Sequence, residues 1–298
     1  MQAYLLLSCR GMTSKRNRPD IAIVGAGNLA SALAPALRKS GFKIETIIVR
    51  NSAASLRRGR RLAASVGAEC VPAQRARLRA EVVWFCVPDR EIAGAARSLA
   101  QAADWKGRVA LHASGALPSD ELAALRRRGA SVASAHPLMT FVRGSQPSLV
   151  GVPFAIEGDV AAARVARSIV KALRGTAWTI RAADKVIYHA WGTFASPLLI
   201  ALLATAERVA KAAGASQKNR REKMLPILAQ TLANYAALGA AEAFSGPLVR
   251  GDVETVRRHL AALRKVPAAR VAYLALARAA SECLPGRNRA ELRRLLKT

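Results

Sequence analysis

The sequence is poor in cysteine, histidine, aromatic and acidic residues. Its 298 positions hold four cysteines, four histidines and 5% aromatic residues. Because no two cysteines form a C-x-x-C pair, the sequence predicts no metal site and fits free thiols in a reducing cytoplasm. No stretch reaches the roughly 18 uninterrupted apolar residues of a membrane-spanning helix. The longest run, at 196–206, is therefore predicted to be a core helix, with no membrane partner.

The scarcity of acidic residues leaves a strong positive charge. Lysine and arginine total 47 against 19 acidic residues, which gives a formal net charge of +28. Such a charge raises nucleic acid as a partner. However, the basic residues are spread along the chain, and no aromatic residues are interleaved with them to stack on bases. We therefore expect no specific nucleic acid, and a basic surface equally favours a small anionic cofactor or substrate.

A glycine motif near the amino-terminal end predicts a dinucleotide site. Residues 20–41 read DIAIVGAGNLASALAPALRKSG, an apolar strand that leads through a glycine turn into an amphipathic helix. Gly25 permits the tight turn, and Gly27 lets the backbone approach a pyrophosphate. Asn28 and Leu29 open the helix, whose first N–H groups point at the phosphates. A G-x-G-x-x-A pattern directly after a strand is typical of Rossmann-like domains.

The residues after the second predicted strand (43–51) favour NADP (NADPH) as the cofactor. Arg50, followed by Asn51 and Ser52, stands where an NAD site carries the acidic residue that grips the ribose 2′-hydroxyl. A guanidinium at this place binds a 2′-phosphate through charge-assisted hydrogen bonds. The alternative is that Arg50 is one more surface arginine in an arginine-rich chain.

The alternation of strands and helices continues after this point. A near-continuous apolar run at 81–89 is typical of a central parallel strand, and its last residues, Val87 and Pro88, are predicted to border the cofactor. Further strands are predicted at 108–117, 130–138, 153–158 and 177–180.

From residue 183 onwards the pattern is helical, with predicted helices at 183–214, 219–240, 252–264, 267–283 and 287–297. The fold class is therefore an α/β amino-terminal, Rossmann-like, doubly wound sheet followed by an all-α carboxy-terminal domain. We predict a disordered leader at 1–18, an NADP-binding domain at 19–182, and a helical domain for substrate binding and dimerisation at 183–298.

The first helix of the second domain carries two ionisable residues in an apolar stretch. At about 100° per residue, Lys185, His189 and Ser196 lie on one stripe of this helix. A buried charge is costly unless it is paired or used. The stripe is therefore predicted to line a substrate site between the two domains, and Pro197 is predicted to kink the helix.

Taken together, these motifs resemble the family that joins a Rossmann-like domain to a domain of unknown function 2520. This family is related to pyrroline-5-carboxylate reductase and belongs to the 6-phosphogluconate dehydrogenase superfamily. The matching stretches are the glycine turn, VPD (87–89), HASGALPSDEL (112–122), HPL (136–138), FAIEGD (154–159), DKVIYHA (184–190) and FSGPLVRGDVETVRRHL (244–260).

The resemblance implies site residues as well as a reaction class. Related β-hydroxyacid dehydrogenases hold the substrate carboxylate with a Ser-Gly pair, which is Ser114-Gly115 here. They place a catalytic lysine on the first interdomain helix with an asparagine one turn later, and Lys185 and His189 stand at that spacing. The dipeptide that begins at His136 is similar to one that lines the substrate site of prephenate dehydrogenases.

One departure concerns Ser196. Family members usually have Ser-Asn where this chain has Ser196-Pro197, so the substrate could differ or catalysis could be weakened. Any of the polar residues after the strands, Ser114 and His136 included, could also serve only as a structural hydrogen-bond partner.

We therefore expect an NADP-dependent oxidoreductase that transfers hydride to or from a small anionic carbonyl, hydroxy or imine substrate. Lys185 is the expected general acid, and His189 the residue that orients the substrate or relays the proton. The alternative is a non-catalytic NADP-binding sensor or regulatory protein. Because the runs at 196–206 and 227–240 carry more apolar positions than one small domain can bury, we also expect a homodimer through the helical domain.

Overall fold

The computed structural model describes residues 18–216 and 218–297. It divides into two compact units, Met1–Gly192 and Thr193–Thr298, called here the sheet unit and the helical unit. The leader predicted for residues 1–18 lies outside the described residues except for Arg18. The division falls after residue 192 instead of 182, because Lys185 and Tyr188 form hydrogen bonds with residues of the sheet unit.

The sheet unit is built on one eight-stranded sheet with the order β3-β2-β1-β4-β5-β6-β7-β8. All neighbouring strands are parallel except β6 and β7. The order of the first six strands is that of a Rossmann domain, so the predicted fold is confirmed. The strands are β1 (Ile21–Val24), β2 (Ile44–Val49), β3 (Glu69–Pro72), β4 (Val82–Phe85), β5 (Val109–His112), β6 (Ser131–Pro137), β7 (Pro153–Gly158) and β8 (Thr176–Thr179).

Two apolar cores cover the two faces of this sheet. Successive residues of β1 enter them alternately: Ile21 and Ile23 belong to one cluster, and Ala22 and Val24 to the other. This alternation follows from the period of two residues in a strand. The helices of the sheet unit are α1 (Asn28–Lys39), α2 (Ala53–Val66), α3 (Asp89–Leu99), α4 (Ala123–Arg126) and α5 (Val160–Ala172). A further helix, α6 (Lys185–Ala195), begins in this unit and continues past its last residue, Gly192.

Two features of the sheet are absent from the sequence-based prediction. β3 forms the edge beside β2, but its sequence, ECVP, shows neither an apolar run nor a clear alternation. β7 runs antiparallel to β6, a direction that depends on tertiary pairing and leaves no local mark in the sequence.

The described part of the helical unit contains helices and no strand, as predicted. Its helices are α7 (Pro197–Ala212), α8 (Arg220–Ala243), α9 (Pro247–Arg250), α10 (Val253–Ala262), α11 (Pro267–Cys283) and α12 (Arg289–Leu296). A small core joins α10, α11 and α12. By contrast, α7 and α8 have no buried residue, so the prediction that 196–206 is a core helix is wrong for the single chain.

The helix predicted at 183–214 is divided at Ser196, whose backbone leaves the helical region at φ −130° and ψ −81°. Pro197 lacks an N–H group and begins α7, a position that proline favours. The segment Ala182–Ala212 is long and apolar enough to cross a membrane by length and composition. However, α6 and α7 have only 11 and 16 residues, fewer than the roughly 20 that a spanning helix needs.

Candidate active site

The turn between β1 and α1 has the glycines that a dinucleotide-binding turn requires. Gly25 has φ +109°, and a Cβ atom there would lie 2.4 Å from the carbonyl oxygen of Cys86. Gly27 is different, because a Cβ atom there would meet nothing within 4 Å. It directly precedes α1, and no side chain caps the first N–H groups of this helix. The turn therefore offers open space beside N–H donors, which is the setting in which helix ends bind phosphate.

A cavity of about 1070 Å³ lies at the carboxyl ends of the central strands of the sheet unit. Three predicted cofactor residues do not line it. Leu29 packs against the core, Ser52 caps α2 by accepting the N–H of Ser55, and Asn51 is exposed. The predicted cofactor residues that do line the cavity are Gly25, Gly27, Asn28, Arg50, Val87 and Pro88.

Positive charge dominates this cavity. Arg50, Arg58, Arg61 and Arg143 line it, whereas Glu91 is the single acidic residue among its described lining. The Arg50 guanidinium lies 3.1 Å from the Glu91 carboxylate. Sequence reasoning missed Arg61 and Arg143. Arg61 could have been found from its spacing, because it follows Arg58 by three residues on α2 and therefore shares its face.

The turn after β5 is folded by hydrogen bonds of His112 and Ser114. Nδ1 of His112 accepts the Ser114 N–H at 3.1 Å, so the ring proton is on Nε2, 2.9 Å from the carbonyl oxygen of Pro118. Burial lowers the pKa of His112 to about 4, which keeps the ring neutral. The Ser114 hydroxyl oxygen accepts the N–H groups of Ala116 and Leu117. His112 is therefore a structural residue.

Asp89 connects this turn to the arginine-rich cavity. The Ser114 hydroxyl donates to the Asp89 carboxylate at 2.8 Å. Asp89 follows Pro88, which lines the cavity, and it begins α3. A substrate carboxylate at Ser114 would compete with Asp89 for the hydroxyl proton, so direct substrate binding by Ser114 stays a prediction.

Lys185 is fully enclosed in the sheet unit. Its residue has 0% of its surface exposed. The ammonium donates to the carbonyl oxygen of Ser114 at 3.1 Å and to the hydroxyl of Ser134 at 2.7 Å. Burial lowers the pKa of Lys185 to about 8, while the charges of Glu157 and Asp89 act in the opposite direction. The lysine is thus held directly behind the Ser114–Gly115 turn.

His136 and His189 lie next to Gly115 of this turn. A Cβ atom at position 115 would be 2.7 Å from Cδ2 of His189 and 2.9 Å from Nε2 of His136, so only glycine fits between the rings. His189 is exposed and His136 is half-buried. Nδ1 of His136 is 2.6 Å from the hydroxyl of Tyr188, a residue that sequence reasoning did not select.

Four of the predicted catalytic and substrate residues, together with Gly115, come together in the sheet unit. Lys185, His189, Ser114 and His136 surround the backbone of Gly115. Ser196 belongs to the helical unit, where it is the residue before α7. Such an arrangement provides a buried cation and two imidazoles next to an arginine-rich cavity, which suits an anionic ligand and proton transfer.

Two known domain families match the chain. The Rossmann-like domain matches residues 9–137, and the domain of unknown function DUF2520 matches residues 152–280. No curated protein sequence matches the chain. The resemblance inferred from the motifs is confirmed by these two matches.

Solved structures share the fold at low sequence identity. A candidate NADP oxidoreductase from Bacteroides fragilis has a TM-score of 0.74 and 22% identity, over 88% of this chain and 98% of that chain. A pyrroline-5-carboxylate reductase from Coxiella burnetii has a TM-score of 0.56 and 16% identity, over 88% and 98%. An imine reductase from Myxococcus stipitatus, solved with NADP⁺, has a TM-score of 0.59 and 18% identity, over 93% and 100%. The chain thus carries a Rossmann-like domain followed by a domain of unknown function 2520, and it shares its fold with these solved structures.

Proposed function

We propose that this protein is an NADP-dependent oxidoreductase that transfers hydride to or from a small anionic carbonyl, hydroxy or imine substrate. The observation that carries the proposal is the pair of adjoining sites at one edge of the sheet. An arginine-rich cavity begins at the glycine turn, and the Asp89–Ser114 hydrogen bond links it to the cluster of Lys185, His136 and His189. Solved proteins with this fold include NADP-dependent reductases.

The described residues fit the cofactor. The open space at Gly27 and the uncapped start of α1 suit the pyrophosphate, and Arg50 and Arg58 suit a 2′-phosphate. Arg50 is now paired with Glu91, but it is largely exposed, and an exposed ion pair contributes at most about 1 kcal/mol. A bound phosphate can therefore draw the guanidinium away from the carboxylate.

The chemistry divides between the cofactor and the chain. When bound, NADPH supplies the hydride that reduces the substrate carbon, and NADP⁺ accepts it in the reverse direction. The substrate oxygen or nitrogen takes up a proton in the reductive direction, and Lys185 is the proposed donor because burial lowers its pKa to about 8. This role requires the Ser114–Gly115 turn to move, since the ammonium has no exposed surface. His189, which is exposed beside Gly115, is proposed to orient the substrate.

A screen of the purified protein tests this proposal. Loss of NADPH absorbance is followed with a panel of keto acids and cyclic imines, and Gly27→Val, which should not bind the cofactor, is the control. The expected result is that the native protein oxidises NADPH with at least one compound and that Gly27→Val does not. Tight NADPH binding without turnover of any compound would instead support the alternative function.

The alternative is a non-catalytic NADP-binding sensor or regulatory protein. The observation that favours it is the enclosure of Lys185, whose ammonium already has two hydrogen-bond partners of the chain. A lysine that binds two neighbours can be wholly structural. In that case NADPH would bind with the same residues, but the Lys185→Met variant would behave like the native protein in every ligand assay.

We also propose a homodimer through the helical unit. α8 has 24 residues without one buried side chain, and a lone helix with no packed face gains little stability from propensity alone. In the helical unit, residues 193–206 and 224–241 contain no lysine, arginine, aspartate or glutamate, so these two stretches carry none of the net charge of +28. A second copy can cover them without pairing like charges. The free thiols Cys70, Cys86 and Cys283 support a cytoplasmic location for this dimer.

A further inference from the structure

The hydrogen bond between Tyr188 and His136 concerns two elements that are distant in sequence. His136 is near the end of β6, and Tyr188 is one turn after Lys185 on α6. The Tyr188 hydroxyl is 2.6 Å from Nδ1 of His136, and only 6% of Tyr188 is exposed. Trp178 and Trp191 pack against the Tyr188 ring with centroids 5.9 and 6.2 Å away. The phenol is therefore fixed in position by its neighbours.

The direction of this hydrogen bond follows from the chemistry of the two groups. Burial raises the pKa of Tyr188 to about 12, so the phenol keeps its proton. His136 is its hydrogen-bond partner within the described residues. If Nδ1 of His136 were the donor, it could not accept the phenol proton. The buried phenol O–H would then lose His136 as its acceptor, and an unsatisfied buried donor costs free energy. The phenol therefore donates to Nδ1, and a neutral ring then carries its proton on Nε2.

Burial and groups on two neighbouring elements keep the His136 ring neutral. Burial lowers its pKa to about 3, and the neighbouring Lys185 and His189 on α6 and His112 on β5 also disfavour the protonated ring. Nε2 faces the backbone of Gly115, where a Cβ atom would be 2.9 Å away. His136 is half-buried, whereas the Lys185 residue is fully enclosed, so His136 is the more accessible of the two groups.

We propose that His136 presents its Nε2–H group to the oxygen or nitrogen of the reacting bond, and that Tyr188 is the positioning residue that keeps the proton on Nε2. The inference rests on the proposed oxidoreductase function and names a second group for it. His136 keeps its proton and polarises the acceptor through a hydrogen bond, as neutral imidazoles do in other enzymes. The substrate must therefore carry a hydrogen-bond acceptor, such as a carbonyl oxygen or an imine nitrogen, at the reacting carbon.

The chain contains a second histidine–tyrosine pair that serves as a matched control. Nδ1 of His259 lies 3.2 Å from the hydroxyl of Tyr273 in the helical unit. Tyr188→Phe and Tyr273→Phe each remove one phenol oxygen and keep the ring. Tyr188→Phe should change the tautomer of His136, whereas Tyr273→Phe should affect only His259.

Nitrogen-15 NMR of the four histidines in the full-length protein tests the proposal without turnover. The His136 signals are assigned with His136→Gln. Between pH 5 and 8 we expect a neutral ring with the proton on Nε2, and Tyr188→Phe should shift these signals and populate the other tautomer. A proton on Nδ1, an imidazolium at pH 7, or His136 signals that do not change in Tyr188→Phe would overturn the proposal. Melting temperatures confirm that both variants are folded.

Turnover is the second readout. With a substrate from the panel, Tyr188→Phe should lower kcat about tenfold, the low end for loss of a partner behind a functional imidazole. The KM for NADPH should not change, and Tyr273→Phe should behave as the native protein. An unchanged kcat in Tyr188→Phe would overturn the positioning role. A panel without any substrate would count against the proposed function only, because the tautomer measurement decides this proposal independently.

Discussion

The sheet unit and the helical unit differ in where they place their apolar residues. Every residue of β1 and β4 is buried, and two clusters cover the faces of the sheet. In the helical unit the buried cluster is confined to α10, α11 and α12. α7 and α8 expose large side chains, among them Ile200 and Ile227. Thus the sheet unit completes its core with its own residues, whereas the helical unit leaves apolar faces open.

The difference separates two uses of hydrophobic sequence. In the sheet unit, apolar residues fix the strand ends and therefore the positions of Gly25, Val87 and Ser114 at one edge. In the helical unit, a groove of about 900 Å³ between α7 and α11 is lined almost wholly by apolar side chains. Large apolar surfaces on a folded chain mark interaction sites. We therefore expect substitutions in the sheet unit to affect ligand binding and catalysis, and those on α7 and α8 to affect assembly.

The largest expected effect is that of Lys185→Met on turnover. Methionine has a similar volume without the charge, so the sheet unit should keep its fold and its NADPH affinity. If Lys185 is the general acid, kcat falls by roughly 10² to 10⁴. Steady-state kinetics and calorimetric titration on the same preparation provide the measurement. Unchanged kcat would show that Lys185 is a structural residue and not the general acid.

The same variant gives a prediction on stability and pH. The folded pKa of Lys185, about 8, is below its ordinary value of 10.5, because burial disfavours the charged form. Below pH 8 the lysine is charged in both states, and its burial opposes folding. As pH rises from about 8 to 10.5, the folded protein loses this proton first, and its stability should rise relative to Lys185→Met by up to about 3 kcal/mol. Denaturant unfolding of both proteins across this range measures it, and a constant difference would contradict the lowered pKa.

Gly27→Val should separate ligand binding from folding within the sheet unit. Its side chain would meet no protein atom within 4 Å at Cβ, so the melting temperature should stay close to that of the native protein. It would occupy the space in front of α1, and NADPH affinity should fall by at least about 100-fold, the loss expected when several phosphate hydrogen bonds are blocked. Self-association should not change.

Gly25→Val is the matched control for this experiment. Its Cβ atom would lie 2.4 Å from the Cys86 carbonyl oxygen at φ +109°, so it should lower the melting temperature as well as NADPH affinity. If Gly27→Val bound NADPH normally, the cavity would not be the cofactor site.

The sequence predicted the sheet unit better than the site it carries. Strand ends, the glycine turn and the place of Arg50 follow from local patterns, since apolar runs and glycines leave direct marks in the sequence. The contacts of Asp89 with Ser114 and of Tyr188 with His136 could not be predicted, because each joins residues that are brought together only by strand order. The enclosure of Lys185 is of the same kind. The residue spacing predicted which face of the helix carries Lys185, but it did not predict that the side chain is fully buried.

A charged substitution on the exposed face of α8 should have a smaller effect, and this effect should be on dimer formation. Ile227→Asp places a charge on a side chain that is 67% exposed in the single chain. In a homodimer through this face the charge would be desolvated, and the dimer Kd should rise at least about tenfold. Val160→Asp, at a 77% exposed position of the sheet unit, is the control and should not change the Kd.

Light scattering and sedimentation at micromolar concentration measure this dissociation. NADPH affinity should be the same in both variants if the cofactor site is complete in the sheet unit. A native protein that is monomeric at these concentrations would contradict the dimer, and retention by lipid vesicles would point to a membrane as the partner of this face.

The smallest expected effect concerns the choice between NADPH and NADH within the sheet unit. The native protein should bind NADPH at least about tenfold more tightly than NADH, because a guanidinium stands where an NAD site has an acidic residue. Arg50→Ala should remove most of this preference and leave NADH affinity nearly unchanged, since NADH has no 2′-phosphate. Arg57→Ala is the matched control: Arg57 is exposed on α2 and does not line the cavity, although its neighbour Arg58 does. Calorimetric titration of both cofactors at several salt concentrations measures the preference, which should weaken as salt screens the charge. Equal affinities in the native protein, or the same loss in both variants, would show that a general positive field and no particular arginine holds the cofactor.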